Sequence, residues 1–413
     1  MWPLTIIALK IAIVLGGLLT AAAYLVLVER WIAAWVQDRI GPNRVGIPLT
    51  RIRMFGLGQP FADGLKLIFK EEVTPSHVDK FLFFFAPGAI FVAAIAVFAV
   101  IPFGSVLPNG LPFEAPGQPI SLVIAPGVDV GLVYITALGS IAVYGVLLGG
   151  WASNNKYGFL GGLRASAQLI AYELPMGAAL LGITLAAGSL RLETIISQQA
   201  QSGIWNVLLQ PLGFVVFVVA AFAEAGRLPF DLSECEQELI GGYHTEYCGI
   251  KLMMYLTAEF IHMIAASFLI SILYLGGWHF WGLTGSGDTV TWITALLRIA
   301  VLTAKVSGVI FTFMLIRWSW PRFRFDQLMG LAWNVMLPLG FVNVVLVAAF
   351  MEYGDRWSAR LGMPVALTEA LCGAGVLVVS WLIVTLAVPT ASDNRPRRGA
   401  LAERSEIDDI VIL

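Results

Sequence analysis

Apolar runs of about 20 residues recur along almost the whole chain, and no other feature constrains the fold as tightly. Coiled as an α-helix, such a run matches the hydrocarbon thickness of a bilayer. Inside that layer no water is present to bond backbone N–H and C=O groups, so the run must satisfy them within itself. Nine candidates fall near residues 4–28, 81–103, 128–150, 165–187, 207–223, 252–275, 290–316, 328–351 and 365–388, the fifth being the shortest. The expected fold class is therefore an all-α polytopic membrane protein of about nine transmembrane helices. With 58% hydrophobic and only 13% charged residues, the 413 residues do not divide into two or three soluble domains. They read as one transmembrane helical domain over 1–389 and a polar tail over 390–413. The first apolar segment carries no small-residue cleavage pattern and is expected to stay as a span.

Orientation follows from the basic residues. Arg30, Arg39, Arg44, Arg51, Arg53, Lys66, Lys70, Lys80, Lys156, Arg164, Arg227, Lys251, Arg317, Arg322 and Arg324 share one side with the tail. Arg191, Arg356 and Arg360 fall on the other. This puts the N-terminus outside, and the first long connection, the acidic loop and the tail in the cytoplasm. Net charge is −2 with no long basic stripe, and nothing points to nucleic acid. The three cysteines, Cys235, Cys248 and Cys372, lack a CxxC spacing, and only His262 of four histidines lies well inside a span. No metal redox centre or bound cofactor is expected in this chain.

Two connections are too patterned to be simple turns. The first opens on Gly41-Pro-Asn-Arg-Val-Gly; then Phe55, Leu57, Phe61, Leu65, Ile68 and Phe69 alternate with Gln59, Asp63, Lys66 and Lys70. The spacing predicts an amphipathic interfacial helix after the first span, within about 52–71, with Pro60 in its first turn. The second connection, about 224–251, packs Glu224, Asp231, Glu234, Glu236, Glu238 and Glu246 around Arg227. Taken alone, it reads equally well as a solvated acidic loop. Glu173, in Ala171-Tyr-Glu-Leu-Pro-Met-Gly, and Glu259, in Thr257-Ala-Glu-Phe, change the weighing, because each lies inside an apolar run. An ionised carboxylate at a helix centre costs about 2.5–3.5 kcal/mol on insertion scales, so such groups mark ion or proton pathways. Arg298 and Lys305, in the seventh run, are candidate counter-charges. The end of the first run, Glu29-Arg-Trp-Ile-Ala-Ala-Trp-Val-Gln-Asp-Arg, mixes aromatic and charged groups, as an ordinary interfacial belt or the rim of a cavity open to lipid would.

Taken together, Gln37-Asp-Arg-Ile-Gly-Pro-Asn-Arg-Val-Gly, Gln59-Pro-Phe-Ala-Asp-Gly-Leu-Lys-Leu, Ala171-Tyr-Glu-Leu-Pro-Met-Gly, Ala223-Glu-Ala-Gly-Arg-Leu-Pro-Phe-Asp-Leu, Glu234-Cys-Glu-Gln-Glu-Leu and Gly242-Tyr-His-Thr-Glu-Tyr closely resemble the H-subunit family of the proton-pumping NADH:quinone oxidoreductase, respiratory complex I. The resemblance covers most of the chain from Glu29 to about Gly277. Gly226, Leu228 and Ser233 depart from residues frequent in the family at those places. It implies a membrane component, in the bacterial plasma (inner) membrane, that couples quinone reduction to proton translocation. Glu173, Glu224, Asp231, Glu234, Glu236, Glu238, Glu246 and Glu259 would be its proton-coupling carboxylates. Gln37, Asp38, Arg39, Phe61 and Asp63 would line quinone access, with Arg227 near the chamber. Ubiquinone or menaquinone would be the substrate; NADH, FMN and iron–sulfur clusters would belong to partner subunits. The partners implied are other membrane-arm subunits, the quinone-site subunits of the hydrophilic arm, and membrane lipid. A homologous component of a membrane-bound hydrogenase would keep the carboxylates and need no quinone. A stand-alone ion transporter would move ions without partners, though no internal repeat supports that fold.

Overall fold

Each apolar run becomes helical, and polar side chains cap some of the helix starts. The computed structural model describes residues 2–46, 55–108, 120–231, 241–285, 291–362 and 364–387. In chain order the helices are α1 (Trp2–Val36), α2 (Gln59–Phe69), α3 (Lys80–Ala96), α4 (Gly131–Ala152), α5 (Lys156–Ala187), α6 (Leu192–Ser202), α7 (Asn206–Leu209) and α8 (Pro211–Glu224). After the acidic loop come α9 (Gly249–Leu273), α10 (Trp281–Thr284), α11 (Trp292–Ser319), α12 (Phe325–Gly330), α13 (Leu337–Leu361) and α14 (Val365–Ala387). Asp79 caps α3 by accepting from the Leu82 N–H at 3.2 Å, and Asn155 caps α5 through the Tyr157 N–H at 3.0 Å. A π-helical turn, Leu331–Met336, joins α12 to α13 in one continuous rod.

Among the described residues, seven helices are long and apolar enough to cross a membrane; Pro211–Glu224 and Leu367–Ser380 are shorter apolar helices. These nine segments sit where the nine runs were expected, and the chain is an all-α polytopic membrane protein. The fifth is the informative one. Gln210-Pro211 breaks the run at 207–223 into α7 and α8, because a proline starts a helix readily but cannot continue one. The 14 residues of α8 reach only roughly 21 Å at 1.5 Å per residue. The amphipathic helix forms as α2 with Pro60 in its first turn, beside α1 and α9, and none of its side chains is fully buried. Two elements went unread in the sequence. One is α6, which buries Ile195 and Ile196. The other is a small antiparallel pair, β1 (Val106–Leu107) with β2 (Ile120–Ser121).

The chain divides into two compact units, Met1–Ala374 and Gly375–Leu413. Within the first, α9 is the innermost long helix: 72% of its apolar window is buried, against 17% for α1. Contacts with α3, α8 and α11 and with α1 enclose it, so a charge on α9 is a charge in the middle of the bundle. Small residues bring the helices close enough to seal that middle. An added Cβ at Gly150 of α4 would lie 3.1 Å from the Gly162 Cα of α5, and one at Gly161 would lie 2.7 Å from the Gly242 backbone. Gly226 adopts φ +62°, so the turn that follows α8 uses a conformation that favours glycine.

Candidate functional site

Three expected carboxylates line one cavity. Glu173 from α5, Glu224 at the end of α8 and Glu259 from α9 all line a cavity of about 70 Å³, with Gln168, Tyr243, Tyr255 and His262. A water needs about 10–15 Å³ of such space and two to four polar partners, so the cavity has room for a short chain of waters between the carboxyls. The Ser140 hydroxyl of α4 donates to Glu173 Oε1. The Glu224 carboxyl lies against Gly139, where an added Cβ would sit 3.0 Å from its Oε1. Gln168, 2% exposed, donates to the Ala223 carbonyl at 3.0 Å and the Phe230 carbonyl at 2.8 Å. Those two bonds tie the end of α8 and the turn beyond it to α5.

The turn delivers Arg227, 3% exposed, into the centre of the bundle. Its Nη1 lies 3.0 Å from Glu29 Oε2 on α1, and its Nε lies 2.9 Å from Glu259 Oε1 on α9. The guanidinium also stacks over Phe260, 4.2 Å from the ring centre. Arg317 Nη1 closes the other side of Glu29 at 2.5 Å. A planar, permanently charged fork suits this geometry, since one side chain can hold two carboxylates on different helices. Arg227 is thus a counter-charge of Glu259. The candidates on α11 serve elsewhere: Lys305 Nζ donates to the carbonyls of Leu275, Gly277 and His279 at 2.5, 2.9 and 2.6 Å. Arg298 Nε donates to the Thr284 carbonyl at 3.2 Å.

Asp231, at the cytoplasmic edge of the same cluster in the expected orientation, lies 3.4 Å from Arg322. Burial, then the neighbouring charge of Glu259, push its carboxyl up to about 7, while Arg322 and Arg227 pull the other way. Glu246 stands apart, accepting from the Asn155 Nδ2 at 2.7 Å. Glu234, Glu236 and Glu238 lie outside the described residues.

A second, larger hollow of about 860 Å³ opens between the end of α1, the loop after it, Phe260 of α9 and Trp318 of α11. Glu29, Arg30, Arg39, Asn43 and Arg44 give it a polar side, and Val26, Ala33 and Ile40 an apolar one. The Trp31 Nε1–H donates to the Pro42 carbonyl at 3.2 Å, folding the Gly41-Pro-Asn-Arg segment back onto α1. Gly41 allows that approach, because an added Cβ would lie 2.6 Å from the Trp31 ring. Of the residues expected at quinone access, Arg39 lines the hollow directly. Gln37 supports it, accepting from Arg39 Nε at 2.8 Å, and Asp38 makes the turn at φ +51°. Asp63 reaches it through Arg30 at 2.8 Å, whereas Phe61, 65% exposed, faces outward from α2. Arg227 stands behind the wall made by Glu29 and Phe260. Gln168 and Tyr255 were not singled out from sequence, and His262 and Arg317 were named there without a place in the site. A glutamine or tyrosine in an apolar run carries no periodic signal of its own.

Fold and site together define a multi-pass helical membrane protein with ionisable groups gathered in its interior. The model of the NADH dehydrogenase family matches residues 9–348. The NADH-quinone oxidoreductase H-subunit 1 of Cytophaga hutchinsonii is 44% identical over 331 residues, 80% of this chain and 92% of its own length. The H-subunit of the same enzyme from Flavobacterium johnsoniae is 43% identical over 353 residues, 85% and 96% of the two chains. H-subunit 1 of Geobacter metallireducens is 45% identical over 337 residues, 82% and 94%. The chain belongs to the H-subunit family of NADH-quinone oxidoreductase, and is a membrane component of that respiratory enzyme.

Proposed function

We propose that the chain forms part of the chamber through which quinone reaches its reduction site, and that it couples the reduction to proton translocation. One observation carries this reading: Arg227 ion-pairs with Glu29, which lines the larger hollow, and with Glu259, which lines the carboxylate cavity. A change of charge or hydration in the chamber alters the hold of Glu29 on Arg227. Arg227 then binds Glu259 more or less tightly, and the proton affinity of Glu259 follows, because an opposite charge within about 4–6 Å favours the ionised form. Glu224 and Glu173 continue the path through the cavity waters. Asp231, Glu246 and the loop carboxylates Glu234, Glu236 and Glu238 form its cytoplasmic approach.

On this reading Gln37, Asp38, Arg39, Phe61 and Asp63 shape the access route, with ubiquinone or menaquinone as substrate. The polar side of the hollow suits a quinone head, its apolar side the isoprenoid tail. NADH, FMN and iron–sulfur clusters are held by partner subunits; the quinone-site subunits of the hydrophilic arm meet the cytoplasmic face, and other membrane-arm subunits and lipid surround the bundle. The N-terminus lies outside the plasma membrane, the acidic loop and tail inside.

The test is Arg227→Gln in the assembled complex. Quinone-linked NADH oxidation and pumping should both fall by at least tenfold, while NADH oxidation with an artificial acceptor upstream of quinone continues. Quinone-linked turnover and pumping at the parental rate in that variant would disprove the Arg227 route. Arg39→Ala separately tests the chamber: it should raise the quinone KM, and unchanged quinone kinetics would remove Arg39 from the access path.

A further inference from the structure

We propose that Ser140 of α4 is a positioning residue for the proton on Glu173, its single hydroxyl hydrogen alternating between the Glu173 carboxylate and the Thr136 carbonyl. The inference rests on the reading of Glu173 as a proton-coupling carboxylate and adds a residue that no motif in the sequence marks. A serine hydroxyl has one hydrogen and two acceptor lone pairs. Two acceptors lie within reach of Ser140 Oγ: Glu173 Oε1, and the Thr136 carbonyl one turn back at 3.2 Å. The second contact is the usual refuge of a serine inside a helix. The first reaches across from α4 to its neighbour α5.

The two partners define two arrangements. With Glu173 ionised, Ser140 gives its hydrogen to the carboxylate. When a cavity water delivers a proton to Glu173, the carboxylic O–H can donate to Ser140 Oγ, and the serine hydrogen turns to Thr136. No atom is lost or gained by Ser140 in the exchange; one hydrogen bond reverses direction. Both protonation states of Glu173 therefore keep a partner in a place where an unpaired ionised group would be costly. The position is strategic. Glu173 lines the carboxylate cavity and also a groove of about 640 Å³ on the outside of α4, α5 and α13, which Thr136 lines too. Ser140 holds the carboxyl at the wall between the two. Gly139, its neighbour in sequence, leaves the space that the Glu224 carboxyl occupies. Two consecutive residues of α4 thus set the places of two carboxyls from two other helices.

Ser140→Ala, Ser140→Thr and Glu173→Gln, and the double variant of Ser140→Ala with Glu173→Gln, test this in the assembled complex. The readouts are quinone-linked NADH oxidation, proton pumping and their pH profiles, with the upstream artificial-acceptor reaction reporting assembly. The other titratable groups facing Glu173 are Glu224 of α8, Glu259 and His262 of α9, with Tyr243 and Tyr255, and they are the same in every variant. Ser140→Ala should lower coupled turnover about tenfold, the factor for one hydrogen bond to a charged group missing in one protonation state, and displace the pH profile. Ser140→Thr, which keeps the hydroxyl, should stay within about twofold of the parent. In the Glu173→Gln background, Ser140→Ala should cost nothing further, since coupled residues are non-additive and a merely structural serine would add its own loss. A parental rate and pH profile in Ser140→Ala, an additive loss in the double variant, or Ser140→Thr as impaired as Ser140→Ala would overturn the proposal. If Glu173→Gln is impaired but Ser140→Ala is not, this inference alone fails; if Glu173→Gln is itself unaffected, the reading of Glu173 fails with it.

Discussion

At the scale of single residues, the interior works by pairing, and pairing is where sequence says least. Asp231 offers the clearest pH signature. Its carboxyl, pushed up to about 7 against about 3.8 when free, holds its proton more firmly in the folded chain. The stability this contributes is complete below about 4 and is lost as pH rises to about 7. Asp231→Asn removes the loss, so its thermal midpoint should decline less than that of the parent complex between pH 5 and 8; identical declines would refute the assignment. Gly139→Ala gives a second prediction. The added methyl meets Glu224 Oε1 at 3.0 Å, yet alanine is the better helix former by about 1 kcal/mol. Coupled turnover should therefore fall several-fold with no loss of thermal stability, whereas a drop in stability would mean that the methyl disturbs helix packing instead. Glu173 and Glu259 were legible in the sequence because an ionisable group in an apolar run stands out. Their partners were not. Ser140 resembles any small residue of a membrane helix, and the choice of Arg227 over Arg298 or Lys305 depends on how α8, α9 and α11 pack, which no local pattern encodes.

At the scale of elements, the nine apolar runs and α2 with its Pro60 could be read directly, since length and periodicity determine them. The break between α7 and α8 was harder to see, because Pro211 stands in a run whose total length is ordinary for a span. The turn after α8 depends on α5 through Gln168. Gln168→Leu would leave the Phe230 carbonyl without that donor, at about 1–3 kcal/mol for a buried group left unsatisfied, while the Ala223 carbonyl keeps the Gly226 N–H at 3.3 Å. The complex carrying it should show a lower thermal midpoint, and weaker coupling because Arg227 is no longer held in register. A variant that kept its midpoint but lost coupling would show that Gln168 serves the cavity rather than the turn. The strand pair and α6 escaped notice because both are short and lie in connections between the long apolar runs.

At the scale of the whole molecule, the family match ends at residue 348, before α14 begins, and the carboxylate cavity and the larger hollow lie entirely within the matched region. Removing residues 364–413 should accordingly leave quinone-linked turnover of the assembled complex within about twofold of the parent. A larger loss with assembly intact would give α14 a part in the reaction. The bundle gathers its charges around the innermost long helix, α9, and one of its shortest apolar helices, α8, carries Glu224 at its end. That shortness has an electrical consequence. Moving one charge across the whole membrane against 100 mV costs about 2.3 kcal/mol. A carboxyl held below the surface by a helix of 14 residues sits partway down that voltage drop, so part of the drop acts on any proton arriving there. An energised membrane would then bias how often Glu224 is filled. The load on the respiratory chain would reach the carboxylate cavity as a back-pressure felt by a single side chain.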